Sequence, residues 1–150
     1  MTVLVVRHAV AMGRSEWPHA DVHRPLNARG VDQAAGLVEV LADFKIERIL
    51  SSPSDRCVDT VRPLAVAADL AVDVVPQLAE GRGAAGVDLV GSTGGGALVL
   101  CSHGDVIPPL VQALGGLPAD SEMACAKGST WVIEDDGGDR PRLRYLPPPA

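Results

Sequence analysis

The sequence predicts one α/β domain over residues 1–150, a three-layer sandwich with a mostly parallel sheet and a hairpin at its C-terminal edge. Three observations point there. Residues 3–6 and 97–101 are short apolar runs without polar alternation, as in strands buried on both faces, and 46–50 reads as a further short strand. Segments with helical spacing of apolar residues separate most of these runs. Aromatic residues make up only 3% of the chain, so the core must be built from Val, Leu and Ala, a composition that suits parallel strands under Ala-rich helices. At 150 residues the chain has the length of a single core, and no internal repeat or linker divides it.

Residues 3–6 form the first strand, which runs straight into Arg7 and His8. Residues 10–25 lack periodicity and hold Gly13, Ser15, Pro18, Asp21 and Pro25. They make a connection longer than most in compact domains, and such loops are often functional. Asn27 is placed to cap a helix whose apolar positions are Val31, Ala34, Ala35, Val38, Leu41 and Ala42. Residues 46–50 are the second strand. Ser51-Ser52-Pro53 then offers an N-cap followed by proline at the first helical position, so a helix is expected to begin there. Its stripe is Cys57, Val58, Val61, Leu64, Ala65 and Ala68, and Pro63 is expected to kink or split it.

Residues 71–75 read as a third strand, and 76–78 lead the chain towards Glu80. Segment 81–96 contains seven glycines, which predicts a weak helix over 84–90 followed by a flexible turn. Residues 97–101 are the fourth strand, ending in Ser102-His103-Gly104. The helix after it carries Val106, Ile107, Leu110, Val111 and Leu114, with Gly115 suited to its end. Residues 130–133 and 143–146 flank Asp136-Gly137-Gly138 as an edge hairpin, and 147–149 form a proline tail.

The formal net charge of −6 gives no basis for binding DNA or RNA in bulk, since such binding relies on Lys and Arg neutralising phosphates. Cys57, Cys101 and Cys125 have neither disulfide-framework nor zinc spacing and read as reduced thiols. The apolar run at 2–6 is too short for a secretory leader, and no run approaches the roughly 20 apolar residues of a membrane span. A cytoplasmic protein without a membrane partner is the expectation.

In an open parallel sheet, ligands bind beyond the carboxyl ends of the strands. Strand one ends at Arg7-His8, strand two at a turn that carries Arg56, strand three leads to Glu80, and strand four ends at Ser102-His103. Taken singly, each residue has an ordinary structural explanation. Arg56 is the exception, since a cation early in a helix is unfavourable for the helix dipole unless an anion lies nearby. Together they make a phosphate site, because guanidinium forks match phosphate oxygens and a helix N-terminus adds backbone donors. An imidazole held there attacks phosphorus through one ring nitrogen while the other donates to a carbonyl. Arg7, Arg56 and His103 would stabilise the transferred oxygens, and Glu80 would protonate the leaving alcohol and then activate water.

Other templates fail. Gly94-Gly95-Gly96 has no Lys-Ser or Lys-Thr after it, and no G-x-G-x-x-G follows a strand. His19 and His23 lie in a proline-containing loop without an HExxH glutamate, so no metal is expected. Trp17, His23 and Arg24 are candidates for substrate contact from the long loop, where a solvated loop with one packed Trp is an equal reading.

Arg7-His8-Ala9, Ser51-Ser52-Pro53 with Arg56, Leu78-Ala79-Glu80 and Ser102-His103-Gly104, in this order, resemble the histidine phosphatase superfamily over residues 3–114. The resemblance implies a phosphoglycerate-mutase-like fold, His8 as nucleophile, Arg7, Arg56 and His103 as the phosphate pocket, Glu80 as proton donor, and no cofactor. Many members have glycine after the Arg-His pair and then Glu-Thr and an Asn, where this chain has Ala9-Val10-Ala11, which speaks against a mutase. Arg-His-Ala and Arg24-Pro25-Leu26 are similar to the small bacterial branch that includes phosphohistidine protein phosphatases. Lys127-Gly128-Ser129 and the layout are also similar to the phosphatase domain fused behind a Nudix hydrolase in some bacterial proteins, so a separate Nudix-type partner is a further expectation.

The function expected is hydrolysis of a phosphomonoester on a small metabolite, or of phosphohistidine in a protein, through a phosphohistidine on His8. The alternatives are a phosphate-dependent binding or regulatory module with negligible turnover, and a phosphoglycerate mutase.

Overall fold

Burial on both faces is what the apolar runs predict, and the computed structural model, which describes residues 1–91 and 94–150, places them at the centre of a six-stranded sheet. The strands are β1 (Thr2–Arg7), β2 (Ile46–Ser51), β3 (Val72–Val74), β4 (Ala97–Ser102), β5 (Thr130–Glu134) and β6 (Arg142–Leu146). Their order is β3-β2-β4-β1-β5-β6. The first four are mutually parallel, and β5 and β6 add an antiparallel hairpin at the edge, as expected. All six residues of β4 are buried, whereas the edge strand β3 is largely open to solvent.

Strand alternation divides the core into two. Leu4 and Val6 of β1 face α1 (Ala28–Val40) and α2 (Asp55–Ala68), packing with Leu37, Leu41, Val61 and Leu64. Val3 and Val5 face the other way, towards α3 (Ile107–Gly115), where Ile107, Leu110 and Val111 close the layer with Leu78. Helices therefore cover both faces, the three-layer arrangement read from the sequence.

The structure corrects several local expectations. α1 is capped by Asn27, whose side chain accepts from Gly30 N; of the expected stripe Ala34 and Leu41 are buried, but the rest of its buried face is Gly30, Gln33 and Leu37. Val31 is exposed, as are Ala35 and Ala42. Ala and Val occur on several sides of this helix, so periodicity alone could not choose the face. What chooses it is the approach of the chain after β1: a Cβ at Gly30 would lie 1.9 Å from Val10 O. α2 begins at Asp55 after Ser54, not at Pro53, because Ser52 Oγ is engaged with His103 and with Ser54 N. Pro63 neither ends nor splits α2, which runs on to Ala68. The weak helix is a 3-10 segment, Gly83–Val90, with a kink at Ala84. The turn expected after it includes residues 92 and 93, outside the described residues. The left-handed residue ending α3 is Gly116 (φ 68°), one beyond Gly115. Among the described residues no helix is long and apolar enough to cross a membrane.

Candidate active site

Register brings the chemistry together. Arg7 pairs with Ser102 across β1 and β4, and Ser51 pairs with Cys101 across β2 and β4. His8, His103 and Ser52 therefore leave three adjacent parallel strands on the same side. Ser51 also pairs with Val74, so β3 ends there too and the chain runs through a 3-10 turn, Pro76–Leu78, to Glu80. Ser102 Oγ donates to Leu78 O at 2.6 Å and anchors that turn to the end of β4. A cleft of about 420 Å³ results, lined by Arg7, His8, Arg56, Glu80 and His103 among others.

His8 is buried, and its Nδ1 lies 2.8 Å from Ala9 O. A carbonyl only accepts, so Nδ1 carries the hydrogen and Nε2 keeps its lone pair. Burial pushes the His8 pKa from 6.5 down to about 3; the bond to Ala9 O raises it, and the charges of His103, Arg56 and Arg7 lower it further. At neutral pH this imidazole is uncharged, with the Nε2 lone pair available.

The His103 ring stands edge-on to His8, with centroids 5.4 Å apart. Arg56 Nη2 approaches His103 Nδ1 at 3.4 Å, and His103 Nε2 lies 2.8 Å from Ser52 Oγ. In the neutral ring, Nδ1 thus accepts from the guanidinium and Nε2 donates to the serine.

Arg56 is 1% exposed, an extreme burial for a cation. Its Nη1 donates to Asp21 O, and its Nη2 lies 3.2 Å from Asp21 Oδ2 and 3.5 Å from Glu80 Oε2. Arg7 Nη1 donates to Cys125 O. The Nε–H groups of both arginines are buried with no partner. Unpaired buried donors on two cations are costly by themselves and suit an incoming anion.

Glu80 is exposed, and its Oε1 is 3.1 Å from Arg14 Nη2. It can reach a leaving group at the mouth of the cleft. The expected helix N-terminus contributes less than anticipated: among the cleft-lining residues, α2 supplies only Arg56.

The long-loop candidates separate. Arg24 lines the cleft, but its guanidinium is committed to Asp21 Oδ1 at 2.9 Å and Met12 O at 2.6 Å. Its partner Asp21 has a carboxyl held below the usual range, chiefly by that hydrogen bond. Trp17 donates to Ala20 O and packs on His19, and His23 pairs with Asp55 Oδ2 at 3.2 Å; neither lines the cleft. Sequence reasoning passed over Ser52 except as a cap, and gave no role to Arg14, Asp21 or Gly104. Asp21, an acid amid His19, His23 and Arg24, was the available signal. Lys127, read only as part of a family motif, also lines the cleft. All three cysteines are free thiols.

The model of the histidine phosphatase superfamily (branch 1) matches residues 3–85. The chain is 34% identical to the 8-oxo-(d)GTP phosphatase of Mycolicibacterium smegmatis over 99% of its own length and 48% of that protein. It thus spans about half of that relative, and 37% of two further mycobacterial relatives, which are uncharacterised. Among solved structures, SixA from Agrobacterium tumefaciens superposes with a TM-score of 0.77 at 22% identity, covering 98% of this chain and 97% of that one. A protein histidine phosphatase SixA bound to tungstate gives 0.73 at 22%, covering 100% and 97%. A mycobacterial glucosyl-3-phosphoglycerate phosphatase with VO3 gives 0.75 at 20%, covering 96% of each chain.

Proposed function

Because the chain belongs to the histidine phosphatase superfamily, we propose that it hydrolyses a phosphate ester by way of a phosphohistidine on His8, without a metal. The observation that carries this reading is the state of His8: buried, unprotonated, with Nδ1 fixed on Ala9 O and Nε2 left as the nucleophile beside Arg7, Arg56 and His103.

In the first step, Nε2 attacks phosphorus and the bond to the leaving oxygen breaks. Glu80, which takes up a proton once substrate displaces it from Arg56, gives that proton to the leaving oxygen. Arg7 and Arg56 hold non-bridging oxygens with charged donors, and His103 joins them once Nδ1 carries a proton in place of the bond it accepts from Arg56. In the second step, Glu80, now a carboxylate, takes a proton from water while the oxygen attacks phosphorus and the P–N bond breaks. Phosphate leaves and Glu80 is again protonated, so atoms and protons balance.

The substrate is best sought among small phosphorylated metabolites, since a cleft of about 420 Å³ falls in the size range of small-molecule sites. Oxidised guanine nucleotides enter as candidates through the relative that is 34% identical over nearly the whole chain. Phosphohistidine on a protein remains the second candidate, supported by the SixA-like fold.

The test is hydrolysis of an aryl phosphate, in the presence of a chelator, by the wild type and by His8→Ala. Wild-type turnover that disappears in the variant is the expected result. A panel of phosphohistidine, sugar phosphates and oxidised and normal guanine nucleotides then identifies the substrate. If the folded wild type turns over none of these, the site binds phosphate without hydrolysing it and the reading fails.

A further inference from the structure

Gln33 is 5% exposed on the core face of α1, where an apolar residue would be expected. Both polar atoms of its amide are engaged. Oε1 accepts from Val10 N at 3.0 Å, and Nε2 donates to Lys127 O at 3.3 Å. Gly128 makes room for it: that residue has φ +85°, and a Cβ there would lie 3.1 Å from Gln33 Cδ.

Val10 N–H and Ala9 C=O belong to one peptide group, which is planar and moves as a unit. Gln33 holds one end of that plane, and the other end accepts from His8 Nδ1 at 2.8 Å. The remaining backbone groups of the turn are also held. His8 N donates to Ser102 O, Gly128 N to His8 O, and Asn27 N to Val10 O. Ala9 N donates to Thr60 Oγ1 at 2.9 Å. Gln33 alone grips, through a side chain, the peptide that receives the imidazole N–H.

We propose that Gln33 is a positioning residue for His8, fixing the Ala9–Val10 peptide so that the imidazole keeps its hydrogen on Nδ1 and presents Nε2 as nucleophile. Hydrogen bonds in series also polarise one another, so Gln33 strengthens the acceptor as well as orienting it. The inference rests on the phosphatase reading for its kinetic arm only; the tautomer is measured on the resting protein.

Two variants test it. Gln33→Met keeps the length of the side chain and removes both hydrogen bonds. Gln33→Glu keeps an acceptor for Val10 N. An unsatisfied buried donor and a loosened turn predict that kcat falls about 10- to 100-fold in Gln33→Met, with KM within about twofold. Gln33→Glu should recover most of kcat. The 15N imidazole spectrum of His8 should show the Nδ1–H tautomer in the wild type and Gln33→Glu, and a mixture with Nε2–H in Gln33→Met. A Gln33→Met protein with the wild-type tautomer and kcat overturns the proposal. So does a Gln33→Glu protein that folds but loses as much kcat as Gln33→Met, which would mark a packing role. If Gln33→Met does not fold, Gln33→Ala, which also removes both hydrogen bonds, is read by the same tautomer, and a wild-type tautomer there overturns the proposal. A wild type with no turnover but the Nδ1–H tautomer, altered in Gln33→Met, would sink the phosphatase reading and leave the positioning role standing.

Discussion

Gly104→Ala separates the function of the site from the stability of the fold. A Cβ at residue 104 would lie 2.8 Å from both Cζ and Nη2 of Arg7 and 3.1 Å from its Nε, inside ordinary contact distance. These atoms are the free end of a flexible side chain, so the guanidinium can swing away without moving β1. The stability cost should sit at the low end for overpacking, about 1 kcal/mol, or roughly 2–4 °C in Tm for a chain of this size. The activity cost is larger on the proposed function, because the group that must move is the guanidinium of a cleft-lining arginine assigned to phosphate. A hydrogen bond to a charged group is worth about 1.5–3 kcal/mol, which predicts a loss in kcat/KM of about 10- to 100-fold. The assay is kcat/KM on an aryl phosphate together with inhibition by inorganic phosphate and a thermal melt. A variant that melts near the wild type, keeps full kcat/KM and binds phosphate as tightly would refute the assignment of Arg7 to the phosphate pocket.

Two further outcomes follow from the same geometry. The His8 pKa is about 3 in the folded chain against 6.5 for a free histidine, so between these values the unfolded chain binds a proton that the folded chain does not. Stability is therefore lost as pH falls below about 6.5, by about 1.4 kcal/mol per unit. Urea unfolding at pH 7 and pH 5 should show the wild type losing about 2 kcal/mol more than His8→Asn, and equal losses would mean that His8 is not held neutral. Gly30→Ala puts a Cβ 1.9 Å from Val10 O, a backbone atom that cannot yield cheaply. It should cost about 3 kcal/mol or more and lower Tm by about 10 °C, and a melt within 2–3 °C of the wild type would contradict the close approach of α1 to this turn.

The parts of the site legible in the sequence are those fixed by strand ends. Uninterrupted apolar runs locate β1 and β4, and the residue after each run is where a parallel sheet gathers its chemistry, so Arg7, His8 and His103 could be read in order. Less legible were residues whose importance comes from contacts remote in sequence. Gln33 sits on a helix whose apolar residues allow two faces, and the close approach of Gly30 to Val10 together with its own bonds to Val10 and Lys127 places it on the buried one. Arg24 and Asp21 look like loop charges until Asp21 is seen bridging Arg24 and the buried Arg56. Ser52 reads as a helix cap because Ser-Pro is a helix-start signal, and it departs from that role because His103 lies 2.8 Å away.

The cleft also explains how an acidic chain keeps so many cations at one point. Arg56 is covered by Asp21 and Glu80, Arg14 by Glu80, and Arg24 by Asp21. Both carboxylates are substantially exposed, so each ion pair has easy access to water and contributes at most about 1 kcal/mol. A phosphate dianion meeting the same guanidiniums would make charge-assisted bonds that can be bidentate, stronger than those of exposed carboxylates. On the proposed function, phosphate taking the place of the carboxylate at Arg56 would release Glu80 from that guanidinium as a leaving group arrives. His8 would need no such exchange, since its Nδ1 is already fixed on Ala9 O by a closed turn.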